Sequence, residues 1–243
     1  MNPSIRWNLL ALAILAAATS RASATLPGTL VYGWNGSQAI PDNNASGYAF
    51  TFNVSTAGPL AINNLTVDLT ISGGWDGDLY AYLSHGSGFS VLLNRVGSTA
   101  ANPGGSGVSG MSVEFSDSYL TDIHTAQNSP LNGNFAPDGR NVNPFTTLDT
   151  DARTAMLSSF NGLDPNGAWT LFIADVSPLS VSTVQSWTVS IGVGVPEPTD
   201  VALLVLGLLA CQLFRPQCGR GRCPVPIVLD QDTFRRPPRH RTD

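Results

Sequence analysis

Between Tyr48 and Val193 apolar residues recur at every second position, and this period constrains the fold more than any other feature of the chain. Tyr48, Phe50, Phe52 and Val54 alternate with Ala49, Thr51 and Asn53. Leu65, Val67, Leu69 and Ile71 alternate with Thr66, Asp68 and Thr70. The same pattern returns in Leu79–Leu83, in Trp169–Ala174 and in Trp187–Val193. A period of two with one apolar side is the mark of a half-buried antiparallel strand. Two sheets that turn their apolar sides toward each other bury both, so the expected fold is all-β, a sandwich of jelly-roll type.

Two stretches do not alternate. Gly97–Gly110 is rich in Gly, Ser, Ala and Asn and reads as a mobile loop. Ser129–Thr150 is irregular, with turn signals at Gly133, Pro137-Asp138-Gly139 and Asn143-Pro144. Asp151–Phe160 is expected as one short helix. Thr150 or Asp151 would be its N-cap, and Ala152, Ala155, Met156 and Phe160 its apolar stripe.

The ends differ from the middle. Arg6 precedes the apolar run Leu9–Ala18, followed by Ala22-Ser23-Ala24. A basic start, a short apolar run and a small-x-small site read as a secretory signal peptide cleaved after Ala24. Residues 25–195 then form the β domain. Pro196-Glu197-Pro198 opens a segment, 196–215, whose apolar run Val201–Phe214 stops at Arg215. As a helix that run is about 21 Å long, short for a hydrocarbon core of ~30 Å. Residues 216–243 are rich in Pro and Arg and read as disordered.

Charge excludes one class of partner. From Leu26 to Val195 three arginines face twelve acidic residues, a balance of −9. Beyond Phe214 seven arginines face three aspartates, a balance of +4. An acidic domain argues against nucleic acid, which needs a basic face. A basic stretch directly after an apolar segment fits the positive-inside bias. Cys211, Cys218 and Cys223 all lie outside the β domain, so its stability does not depend on disulfides.

The chemistry-bearing candidates are few. Asp76 and Asp78 flank Gly77 at the start of a strand, and Asp175 closes another. Carboxylates on a turn suit a hard cation such as Ca²⁺, which takes six to eight oxygens. The plainer reading is that Asp and Asn build turns through side-chain to backbone bonds. Asp164 and Asn166 form a second turn of that kind. Trp169 and Trp187 fall on the apolar sides of their strands and are expected in the core. Trp75 lies in a turn, and Tyr80 and Tyr82 fall opposite Leu79, Ala81 and Leu83, so these three are the candidate ligand contacts. His85 reads as a solvated turn residue and His124 as part of an irregular stretch. No Gly-x-Ser-x-Gly elbow and no phosphate loop occur, so no catalytic and no cofactor-binding residues are assigned.

Two segments carry resemblances. Ile40-Pro-Asp-Asn43, Trp75-Asp-Gly-Asp-Leu79, Asn166-Gly-Ala-Trp-Thr-Leu171 and Ser186-Trp-Thr-Val189 occur in that order. The region from Ile40 to Val193 thereby resembles the P domain (P/Homo B) that follows the catalytic domain in proprotein convertases. The resemblance implies a jelly-roll β-sandwich and brings the Asp76, Asp78 and Asp175 motifs near one another. The stretch from Val96 to Ser159 is longer than in the convertase domain, and no catalytic domain fits between Ala24 and Ile40. Pro196-Glu197-Pro198 with its apolar run and Arg215 resembles the PEP-CTERM sorting signal. That implies an exosortase-like processing enzyme, transient membrane attachment through the C-terminal segment, and a cell surface carrying exopolysaccharide. The expected function is an exported, non-catalytic surface or matrix protein that acts through its β domain. The alternative is an accessory module for a subtilisin-like serine protease supplied in trans. The P-domain resemblance alone would suggest proteolysis, but fold does not imply function.

Overall fold

Alternation becomes sheet wherever one side of a strand can be buried, and among the described residues nine segments are strands. The computed structural model describes residues 28–126, 128–194 and 209. The chain divides into two units, Met1–Pro196 and Glu197–Asp243. All strands among the described residues lie in the first. They are β1 (Gly28–Ala39), β2 (Asn44–Val54), β3 (Ala61–Gly73), β4 (Leu79–His85), β5 (Gly88–Asn94), β6 (Met111–Phe115), β7 (Leu131–Phe135), β8 (Gly167–Asp175) and β9 (Ser182–Gly194). Among the described residues, helical ones are confined to three short 3-10 turns at Asp76–Asp78, Ile123–Thr125 and Leu157–Phe160, apart from Leu209 in the second unit.

The strands form two sheets, ordered β1-β9-β3-β6-β7 and β2-β8-β4-β5. Every pairing is antiparallel except β6 with β7, which run parallel. One hydrophobic cluster takes residues from both sheets, Val67, Leu69, Val189 and Ile191 from the first and Leu79, Leu83, Leu171 and Ile173 from the second. Aromatic pairs join the sheets. Tyr32 of β1 stacks on Phe52 of β2 at 5.0 Å, and Phe52 packs on Trp187 of β9 at 5.4 Å. Trp169 and Trp187 are fully buried, as their positions in the alternation require. Each large side chain so buried contributes ~1.5–3 kcal/mol, which makes this shared interior the main source of stability.

Three expectations change. Asp151–Phe160 is not a helix. Thr154 and Ala155 both donate to the Gly139 carbonyl, and Val91 donates to Ala155, so this backbone lies along the edge of β5. Only Leu157–Phe160 coils, as a single 3-10 turn. The irregular stretch contains a strand, β7. Gly97–Gly110 is a braced loop: Gly97 donates to His124 and Ser106 to Val96, and the Asn102 amide reaches the Gly105 carbonyl at 2.7 Å.

The signal segment ending at Ala24, the Pro196-Glu197-Pro198 motif, Arg215 and the 216–243 tail lie outside the described residues, as does the 201–214 run except for the exposed Leu209. Among the described residues no helix is long and apolar enough to cross a membrane.

Candidate functional site

The acidic motifs meet at one end of the second sheet. The strand register places Asp175, the last residue of β8, opposite Leu79 of β4 on one side and Asn44 of β2 on the other. Asp78 immediately precedes Leu79, and its carbonyl accepts a 2.8 Å bond from the Val176 amide. Asp42 precedes β2, and its carboxylate accepts from the Leu179 amide at 3.3 Å. Leu179 is 82% exposed at φ +103°, a strained conformation for a residue with a side chain. The turn after β8 is thus held over Asp42 against its own backbone preference.

Asp78 and Asp175 are buried, at 2% and 0% exposure. Asp175 Oδ1 accepts from the Ser177 amide at 3.3 Å. Oδ2 of both aspartates has no partner. Burial, and then repulsion from Asp78 and from Asp42, pushes Asp175 up to about 6 against the opposing Ser177 and Asn43 backbone. Burial also raises Asp78, with Asp42 adding to the rise, while Ser177 and the Arg95 guanidinium oppose it. An unpaired buried carboxylate costs several kcal/mol when charged, so these oxygens are under-satisfied at neutral pH.

Asp76 stands apart from this pair. It is 1% exposed and neither oxygen has a partner. Burial alone pushes it up to about 7, with no contribution from Asp78 or Asp175. Its amide donates to Val108 at 2.8 Å and the Gly77 amide to Ser106 at 2.9 Å, so the 3-10 turn is fastened to the Gly104–Val108 loop. Glycine is required at 77, because a Cβ there would run into the Ser106 amide. Of the three carboxylates expected as metal ligands, Asp78 and Asp175 lie at this corner with Asp42 at its edge, and Asp76 is on the adjoining 3-10 turn. Among the described residues no three His, Cys, Asp or Glu side chains form a ready-made metal cluster. Asp42 belongs to the Ile40-Pro41-Asp42-Asn43 turn, and only the register of β2 against β8 shows where that turn ends up.

In a second polar cluster the buried carboxylate has its counter-charges beside it, although Asn94 Oδ1 and Arg140 Nε are left without partners. His124, 1% exposed, lies with Nδ1 2.7 Å from Asp138 Oδ2 and Nε2 2.8 Å from the Ser98 carbonyl. Both contacts are acceptors, so the ring satisfies both only as the imidazolium. Burial opposes that charge, but the Asp138 bond and charge and the Ser98 carbonyl outweigh it, and His124 titrates above its ordinary value. Asp138, 0% exposed, also accepts from the Asn94 and Arg140 amides and pairs with the Arg140 guanidinium at 3.3 Å. Arg140 reaches Asp122 at 2.9 Å. Sequence reading missed this network because its members are spread from 94 to 140 in stretches without period.

His85 is not a solvated turn residue. It ends the inward series Leu79, Ala81, Leu83 of β4 and stacks on Trp169 at 4.1 Å. Its ring nitrogens face the Ala168 and Asp164 carbonyls at 2.9 and 2.8 Å. The Asp164–Asn166 turn is local chemistry: Asp164 Oδ1 accepts from the Asn166 amide, and Asn166 in turn holds Thr56.

The aromatic candidates separate. Trp75 is 40% exposed. Tyr80 and Tyr82 are half-buried, on the outer side of β4. Tyr82 stacks on Phe172 at 4.9 Å and packs on Phe89 at 5.1 Å, so its ring faces are already engaged.

Comparison with known proteins adds little. No family model matches the chain, and no curated protein matches it. Among solved structures it is similar to the Aeromonas sobria serine protease (ASP)–chaperone (ORF2) complex, at 17% identity and a TM-score of 0.39. That similarity covers 75% of this chain and 29% of the other. So distant a likeness carries nothing about function.

Proposed function

We propose that this chain is an exported, non-catalytic surface protein whose β domain holds Ca²⁺ at the Asp78–Asp175 corner and acts by binding. The observation that carries this reading is the pair of buried, unpartnered carboxylate oxygens where three strand ends meet. A hard divalent cation is the partner such oxygens fit. Asp42 at the exposed lip, the Ser177 hydroxyl and backbone carbonyls are the further oxygens within the same corner. The cation would tie the entry of β2, the start of β4 and the end of β8 together, and would relieve the repulsion that raises Asp175.

The jelly-roll, P-domain assignment rests on the motif order from Ile40 to Ser186. Export rests on the signal segment ending at Ala24. Sorting by an exosortase-like enzyme, with passing membrane attachment and a place in the cell envelope or its polysaccharide matrix, rests on Pro196-Glu197-Pro198 and Arg215. The binding reading is favoured by the engagement of both described β-domain histidines with structural acceptors. The runner-up, an accessory module for a serine protease in trans, draws on the P-domain motifs alone.

Intact-mass measurement on protein recovered from its native envelope and medium, with calcium calorimetry on the same material, tests the proposal. A mass matching Thr25 to about Val195, with saturable Ca²⁺ uptake, is expected. A mass that retains Val201–Asp243, or no calcium heat, contradicts it. Stoichiometric co-purification with a protease would favour the accessory reading.

A further inference from the structure

Trp75 is the one tryptophan of the β domain's turns, and it points out of the fold where Trp169 and Trp187 point in. Its neighbours Gly74 and Asp76 are buried, so the backbone is fixed while the ring stays 40% exposed. A depression of about 310 Å³ lies beside it, lined by Trp75, Gly104, Gly105, Ser106 and Gly107. A lone exposed aromatic is ordinary on a protein surface; what distinguishes Trp75 is the hollow beside it, lined otherwise by glycine and serine.

The floor of the hollow is rigid. The Gly77 amide donates to Ser106, the Asp76 amide donates to Val108, and the Asn102 amide holds Gly105. Arg95 bridges both walls, donating from Nε to Gly77 at 2.9 Å and from Nη2 to Gly104 at 3.2 Å. The loop backbone is thus braced before any ligand enters, which lowers the ordering cost of binding. The glycines divide into two kinds. Gly105 sits at φ +75°, and a Cβ on it would lie 2.8 Å from the Val96 carbonyl, so the fold requires it. Gly104 and Gly107 have no positive φ, and a Cβ on either meets nothing closer than 3.9 Å. The fold does not need glycine at these two positions. Their bare backbone leaves the hollow open beside the indole.

From this geometry we infer that Trp75 and the Gly104–Gly107 backbone form a stacking subsite for a neutral pyranose unit of an extracellular polysaccharide. The inference rests on the reading of the β domain as a surface binding module and assigns that binding a place. An indole face takes the apolar C–H face of a sugar ring, and the exposed backbone of a glycine floor takes hydroxyls at its rim. Charge selects the polymer. The Arg95 guanidinium is engaged with backbone carbonyls, and the domain around it carries −9. Polymers of uronic acids are therefore repelled and neutral ones are not.

Affinity electrophoresis of the full-length protein tests this, in gels containing galactomannan, dextran, hydroxyethylcellulose or alginate. Retardation by at least one neutral polymer, and none by alginate, is expected. Trp75→Ala should weaken binding at least about tenfold, equivalent to ~1.4 kcal/mol, and Trp75→Phe less. Gly107→Val should also weaken it, with an unchanged Tm, because residue 107 lines the hollow and a Cβ there meets nothing within 4 Å. No retardation by any neutral polymer overturns the inference. So does equal retardation of wild type, Trp75→Ala and Gly107→Val, or retardation by alginate. A calcium-dependent Tm measured in parallel reads the acidic corner separately, so loss of one does not imply loss of the other.

Discussion

Asp138 and Asp175 are both 0% exposed, yet their surroundings are opposite. Asp138 accepts from His124, from two backbone amides and from Arg140. Asp175 Oδ1 accepts from the Ser177 amide and Oδ2 has no partner; the Ser177 and Asn43 backbone favour its charge, but the charges that act on it, Asp78 and Asp42, are of its own sign. The same fold therefore buries one carboxylate with its counter-charges built in and another without them. The difference teaches where a cation from solution could add most: Asp138 has its counter-charges within the chain, and Asp175 does not.

The largest effect is expected at the Asp138 network. Asp138→Ala leaves His124 and Arg140 buried with their charges uncompensated, and should cost about 3–5 kcal/mol in chemical denaturation. A loss below about 1 kcal/mol would erase the contrast with the corner. Next comes Asp175→Asn. In chelator it should change stability by no more than about 1 kcal/mol, or raise it, because it removes a charge that has no partner. In millimolar Ca²⁺ it should lose most of the stabilisation seen in wild type.

The pH dependence sharpens the comparison further. Asp76 at about 7 and Asp175 at about 6 are both raised above the ordinary carboxylate value. The folded state then binds protons more tightly than the unfolded chain. Their contribution is fully present below pH 4 and is lost as pH rises through about 6 and 7. Chelated protein should accordingly lose stability between pH 5 and pH 8, and Asp76→Asn should flatten that slope. His124 is raised too, so its contribution is held below its ordinary value and lost at higher pH as it deprotonates. His124→Asn should remove that component alone. The smallest effect is at Trp75, where replacement by Ala should change stability by less than about 0.5 kcal/mol, as for other exposed positions.

Much of the fold is legible in the sequence, and particular residues show why the rest is not. The strands β2, β3, β4, β8 and β9 follow from alternation, because each has one face on the shared core. Val91, Leu92 and Leu93 of β5 are all fully buried, because backbone from Asp138 to Ala155 lies along that strand. A strand covered in this way has no period to read. The helical stripe Ala155, Met156, Phe160 misleads for the same reason. Phe160 is buried against Trp169, but the backbone before it pairs with Gly139 and Val91 instead of coiling. At the acidic corner the residue types are legible and their grouping is not. Asp76 and Asp78 are neighbours in sequence, yet it is Asp78 that meets Asp175, and Asp42 joins them through strand register. His85 was readable as an inward residue from the series Leu79, Ala81, Leu83, had the period been carried one step further.

The most direct test of the central claim is the melting temperature of wild type and Asp175→Asn at pH 8, each in chelator and in millimolar Ca²⁺. The account predicts that Ca²⁺ raises the wild-type Tm by about 5 °C or more, as a ligand bound to the native state at about a hundredfold excess over its Kd would, and leaves Asp175→Asn within about 1 °C of its chelator value. An unchanged wild-type Tm, or the same rise in both proteins, would contradict it.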